Sequence, residues 1–144
     1  MSPLKLWRLS IALQQRDHRR LARAVQQLNT LLYSNSLSPQ ASAGLGLWLG
    51  HHAFGLVVQT GVSIGEGVRI WHNVSLEARG ERTHVVIEDE VNIGASAVIA
   101  APPGRTLRIG RGARIGAGAV VTEDIAAGTT VVAAKTRVID GDGG

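Results

Sequence analysis

The stretch that decides the fold is GVSIGEGVRIWHNVSL, residues 61–76, in which Ile64, Ile70 and Leu76 stand six residues apart and Val68 and Val74 each follow an anchor by four. The same beat returns in Ile87, Ile93 and Ile99, and again in Ile109, Ile115 and Val121, with Val91, Ala97, Ala113 and Ala119 at the secondary positions. Glycine often follows the anchor, as at Gly65, Gly94, Gly110 and Gly116. A helix repeats every 3.6 residues and a half-buried strand every two, so a period of six fits neither. It fits a coil of three short strands, with the anchors pointing inward and glycine or a polar residue turning each corner. One coil then takes about 18 residues, and residues 40–139 build on the order of five coils stacked at about 4.8 Å. A β-sandwich is disfavoured, because it would alternate with period two and carry hairpin turn pairs.

Composition agrees with a mainly β repeat fold. The chain has 144 residues, 44% hydrophobic and 18% charged, which suits one folded unit rather than a disordered chain. It has 18 glycines but only five aromatic residues (three Trp, one Tyr, one Phe), a shortage that favours small side chains stacked in layers. The absence of cysteine excludes disulfides, thiolate metal sites and a cysteine nucleophile. No apolar run approaches the roughly 18 residues of a membrane span, and Arg8 interrupts the opening MSPLKLWRLSIAL, so a cytoplasmic location is expected.

The formal charge of +4 is uneven. Lys5, Arg8, Arg16, Arg19, Arg20 and Arg23 face Asp17 alone in residues 1–34, leaving the remainder slightly acidic. The arginines recur at helical spacing, with Leu21, Ala24, Val25, Leu28 and Leu32 on the opposite side, which predicts one or two N-terminal helices docked by that leucine face. Asp17 is placed to cap the second. The basic face reads first as solvated, with weak membrane-surface contact as the alternative. No aromatic residues interleave with the arginines, which argues against nucleic acid. The expected division is a helical segment over 1–35 and a β-helix with a C-terminal tail over 36–144.

Two stretches break the beat, Glu77–Val86 and Ala100–Leu107, the second containing Pro102-Pro103-Gly104. Loops expelled from a regular coil are where sites are usually built.

The runs HAFGLVVQTGVSIGEGVRIWHNVSL (52–76), THVVIEDEVNIGASAVI (83–99) and GARIGAGAVVTEDIAAGTTVV (112–132) together resemble the hexapeptide-repeat acyltransferases, within them the serine acetyltransferases and the colanic acid type of O-acetyltransferase. The resemblance covers most of residues 36–139. It implies a left-handed parallel β-helix, a homotrimer, and acetyl-CoA-dependent transfer of an acetyl group to a hydroxyl in a groove between subunits, with no metal.

Such transfer needs a base to take the hydroxyl proton as oxygen attacks the thioester, and a neutral imidazole suits that work near neutral pH. His52 matches the family histidine that serves as base, and His84 matches a second active-site histidine that binds the acceptor or the developing oxyanion. His51 precedes the base where serine acetyltransferases carry aspartate, and a role for both neighbours requires a turn or bulge, since adjacent strand residues face opposite ways. His72 reads as a surface residue, and His18 as solvent-facing. Ser36 stands where the family has the aspartate that orients the base. A hydroxyl can position an imidazole but cannot stabilise its charged form as a carboxylate does, so Glu77 or Glu81 is a candidate to supply that charge. Thr83 replaces the arginine before the second histidine, with Arg82 beside it. The large N-terminal helical domain of serine acetyltransferases does not appear in this sequence. These departures favour a sugar, polysaccharide precursor or specialised metabolite as acceptor, with serine as the alternative.

For coenzyme A, the resemblance implies that Ala95, Ala117 and Gly118 form the small-residue wall along the pantetheine arm. Arg114, Thr129, Thr130, Lys135 and Arg137 would lie near the nucleotide phosphates, although Ala133-Ala134-Lys135-Thr136 departs from the usual Gly-x-Pro-Ala. The arginines at 105, 108, 111 and 114 read first as a solvated face. Two rivals remain. A γ-carbonic-anhydrase-like enzyme needs three converging imidazoles, and His72 and His84 are available, but Asp89 and Asn92 stand where its histidine pair belongs. A non-catalytic assembly subunit is the other, motivated by Ser36.

Overall fold

A computed structural model describes residues 1–139, so the last five residues of the expected C-terminal tail lie outside it. Two helices lead into a left-handed parallel β-helix. Helix α1 (Pro3–Gln15) starts where Ser2 Oγ accepts the Lys5 N–H at 3.3 Å and proline fills the first turn, both favourable at a helix start. It buries Leu6, Trp7 and Ser10, and the Trp7 indole N–H donates to the Ser38 carbonyl at 2.8 Å, tying the helix to the first coil. Helix α2 (Arg19–Tyr33) runs to Ser34, which closes it in the left-handed conformation.

The docking of α2 corrects two expectations. Asp17 is not a cap: it takes a positive φ of 62° in the link between the helices and pairs with Arg19 at 2.8 Å, while His18 occupies the cap position without a side-chain bond. The leucine face is not the packed face, because Leu21, Leu28, Leu31 and Leu32 are all exposed. The helix is buried instead through Ala22 and Asn29, with Asn29 Nδ2 donating to the Pro3 carbonyl at 2.9 Å. Periodicity marks an amphipathic helix, but a close approach through a small residue and an amide selected the face between the arginine and leucine rows.

The three-strand coil is borne out. The first face stacks β1 (Ser36–Leu37), β4 (Val57–Val58), β7 (Ser75–Glu77), β10 (Val98–Ala100) and β13 (Val120–Val121). The second stacks β2 (Ser42–Ala43), β5 (Val62–Ile64), β8 (His84–Ile87) and β11 (Thr106–Ile109), and the third β3 (Trp48–Leu49), β6 (Arg69–Ile70), β9 (Asn92–Ile93), β12 (Arg114–Ile115) and β14 (Thr130–Val131). All pairings are parallel and in register, so each anchor sits on the one below: Ile64 on Ile87, Ile70 on Ile93, Leu76 on Ile99. These columns form the core, with Val68, Val74, Val91, Ala97 and Ala113 fully buried at the corners. Strands of two to four residues suffice because every rung is hydrogen-bonded above and below. Among the described residues, no helix is long and apolar enough to cross a membrane.

Candidate active site

The histidine pair sits where the coil departs from its own rule. At the corner from the third face to the first, four residues join Ile70 to Ser75, Ile93 to Val98 and Ile115 to Val120, but seven join Leu49 to Val57. The three extra residues form a tight turn in which His51, His52 and Ala53 have φ of 47°, 57° and 59°. The left-handed region costs a non-glycine residue roughly 1–2 kcal/mol each, and three in succession hold both imidazoles outward while Ala53 is buried as the pivot. This is the turn that a joint role for His51 and His52 requires.

Each imidazole has its own surroundings. The ring of His52 stacks on Tyr33, with centroids 6.3 Å apart and planes at 13°. Tyr33 is itself held by donating its hydroxyl to the Met1 carbonyl. The ring of His51 meets His72 edge-on at 4.7 Å and lies 6.0 Å from Trp71, which packs against Trp48 at 5.1 Å. His72, expected at the surface, is half-buried, and its Nδ1 is enclosed without a hydrogen-bond partner. A cavity of about 500 Å³ opens beside the turn, lined by Pro3, Leu47, Trp48, Leu49, His51 and His52.

His84 lies elsewhere. It opens β8 at the corner from the first face to the second, where nine residues join Leu76 to Val86 and eight join Ile99 to Arg108. These are the two breaks read from the sequence, and they stack on one another. Thr83 is 2% exposed, and its Oγ1 accepts the Gly104 N–H at 2.9 Å, so it latches the first loop to the Pro-Pro-Gly loop. Its hydroxyl is therefore spent on structure. Glu77 pairs with Arg79 at 3.3 Å on this same corner, and Glu81 and Arg82 are exposed there, so within one chain this group shares the corner of His84 and not that of His52. Ser36 is exposed at the start of β1 and donates its backbone N–H to the Leu56 carbonyl at 2.8 Å, one rung from the histidine turn.

Three of the cofactor candidates fall on one line. Ala95 occupies the same corner as His52 two coils on, and Ala117 and Gly118 the coil after that, with the Gly118 N–H donating to the Ala95 carbonyl at 2.9 Å. Arg114 points outward from the third face beside Thr130, Thr129 directly precedes it, and Lys135 and Arg137 follow, exposed, on the segment after β14. Arg108 and Arg111 instead reach Glu88 and Glu90 at 3.2 and 3.5 Å, as expected of a solvated face. Among the described residues, no three metal-ligating side chains converge.

Sequence reading named a turn at His51 and His52 only as a condition for their joint role, and missed its three-residue insertion, Tyr33 and the aromatic contacts of His51. The signal for the first was available: Leu37 to Val58 spans 21 residues where the beat demands 18, as from Val58 to Leu76. The Tyr33 contact had no local signal, since it joins a helix end to a turn across two coil corners.

No family model matches the chain. Individual proteins do. A serine acetyltransferase of Helicobacter pylori is 34% identical over 142 residues, covering 96% of this chain and 80% of that protein. One from Mycobacterium tuberculosis is 34% identical over 135 residues, covering 92% of this chain and 57% of its own length. Among solved structures, Neisseria gonorrhoeae serine acetyltransferase in complex with serine superposes with a TM-score of 0.84 at 32% identity, covering 94% of this chain and 55% of that one. The chain thus spans four fifths of the Helicobacter protein and a little over half of the longer relatives.

Proposed function

The chain belongs to the serine acetyltransferase family of hexapeptide-repeat acyltransferases, whose donor is acetyl-CoA, and from that premise we propose that it acetylates the hydroxyl of serine with His52 as general base. The observation that carries the proposal is the strained turn that projects His52 at the head of the Ala95, Ala117 and Gly118 column. The relatives' names favour serine over the carbohydrate acceptor expected from the sequence departures.

The neutral imidazole of His52 removes the acceptor's hydroxyl proton as oxygen attacks the thioester carbon. The tetrahedral intermediate expels the coenzyme A thiolate, which takes that proton from the imidazolium, leaving an acetate ester and a free thiol. His84 donates to the developing oxyanion or to the acceptor. The pantetheine arm runs down the column of small residues, with Arg114, Thr129, Thr130, Lys135 and Arg137 toward the phosphates. Because His52 and His84 occupy different corners of one prism, a site using both draws on two copies, which favours a homotrimer with three such grooves.

A second reading, a neutral alcohol such as a sugar hydroxyl, is favoured by Ser36, His51 and Thr83, which stand where charged groups would otherwise meet a zwitterion. One assay separates the readings: thiol release from acetyl-CoA by wild type and His52→Ala, with serine, homoserine, hexoses and nucleotide sugars. The expected result is serine-dependent release that falls by about 100-fold or more in the variant. Release that responds only to sugars moves the acceptor to the second reading. Release indifferent to His52 removes it as base.

A further inference from the structure

The cleft between α2 and the first face of the β-helix is not accounted for by the base, the second histidine or the coenzyme column. It encloses about 490 Å³ and is walled on one side by Arg19, Arg23 and Gln26 of α2, and on the other by Ser36, Gln59 and Thr60. Its charge is one-sided, since no carboxylate lines it. Arg19 is partly neutralised by Asp17, which lies outside the wall, at 2.8 Å. Arg23 has no ion-pair partner among the described residues. The Gln59 side-chain oxygen already accepts the Ala78 N–H at 3.0 Å, so what this amide has left to offer the cleft is its two donor hydrogens. Guanidinium and amide donors without a competing acid are the equipment for an anion.

The cleft reaches toward the histidine turn through Ser36, although neither His52 nor His84 lines it. Ser36 stands three residues beyond Tyr33, the residue stacked on His52, so the two are at most about 10 Å apart along the chain. The cations nearest His84 stand at another corner of the chain: Arg79 is paired with Glu77, and Arg82 is exposed on the loop that ends at His84. We propose that this cleft binds an anionic group, a carboxylate or a phosphate, carried by the acceptor, with Arg23 as its principal contact and Arg19 assisting. The proposal rests on the acetyltransferase reading for the word acceptor, though not for the anion site itself. It makes α2 a specificity element and not only a packing support.

The test uses the intact protein and calorimetric titration with two probes, inorganic phosphate and malonate, against chloride at matched ionic strength. Wild type, Arg23→Gln and Arg23→Lys are compared, and the exposure of Arg23 keeps the variants folded. Binding that falls about 10- to 100-fold in Arg23→Gln and is partly restored in Arg23→Lys is expected, the range for losing one charge-assisted contact. Phosphate alone, or malonate alone, binding in this way names the group on the acceptor. In the thiol-release assay, Arg23→Gln should raise the acceptor KM by a similar factor with little change in kcat, whereas His52→Ala lowers kcat and leaves anion binding intact. Anion binding without any acetyl transfer would overturn the catalytic reading and leave the site. No binding of either probe, or equal binding by wild type and Arg23→Gln, overturns the proposal.

Discussion

Two corners of the same β-helix show opposite designs. At the corner from the second face to the third, four residues join the strands at each step from Ala43–Trp48 to Ile109–Arg114, with no insertion. The corner that carries the histidine pair admits three extra residues, and the one that carries His84 admits two loops. The regular corner is held by side chains used purely for structure: Asp89 Oδ1 accepts the Glu66 N–H at 2.8 Å, and Glu88 Oε2 accepts the Arg111 N–H at 2.9 Å. The interrupted corners expose imidazoles instead. A repeat fold can afford this division because each rung is stabilised by its neighbours, so a loop expelled at one corner leaves the ladders on the faces intact.

The largest effect should come from disturbing the regular corner. A Cβ on Gly65 would meet the Asp89 side chain and the backbone between Glu88 and Asp89, at a position where coils stack too closely for any side chain. Gly65→Ala should therefore destabilise by about 3 kcal/mol, the upper end for overpacking, seen as a lowered denaturation midpoint at fixed protein concentration. Gly112, on the same corner, has nothing within 4 Å of such a Cβ, and its φ of 68° is the one obstacle to a side chain there. Gly112→Ala should cost only the left-handed penalty of about 1–2 kcal/mol. If the two variants melt alike, close stacking is not what keeps this corner regular.

The loop latch is the next step down. Thr83→Val keeps the shape and removes the acceptor for the Gly104 N–H, at a cost of about 1–2 kcal/mol. Because the latch positions the loop that ends at His84, the same variant should lower kcat more than it raises the acceptor KM. An unchanged kcat would reduce Thr83 to a purely structural tie and separate the Pro-Pro-Gly loop from the site.

What was legible in the sequence follows the same division. The anchors Ile64, Ile70 and Leu76 disclosed the coil because a ladder repeats its demand at every rung, and the loops at Glu77–Val86 and Ala100–Leu107 appeared as gaps in that demand. The proposed base His52 and its proposed companion His84 stood out only as motif matches, while the turn holding His52 was hidden by being only half a repeat long. The leucine row of α2 misled because periodicity reports which residues share a face, and Ala22 and Asn29 decide which face docks. The contacts of Tyr33 with His52 and of His72 with His51 join residues 19 and 21 positions apart, and no local pattern encodes them.

The smallest effect tests the histidine turn itself. Ala53 is buried with φ of 59°, a conformation that glycine adopts freely and alanine does not. Ala53→Gly removes about 1–2 kcal/mol of backbone strain, against the greater chain entropy that glycine loses on folding, so stability should rise by roughly 1 kcal/mol or less. If the strain serves to hold His52 outward against Tyr33, the gain in stability should come with a lower kcat, because glycine permits the turn to relax to conformations that swing the imidazole away. A variant that gains stability and keeps full kcat would show that the stack on Tyr33 alone positions the proposed base. The turn would then be needed only to make room for two adjacent histidines at a corner that elsewhere holds four residues.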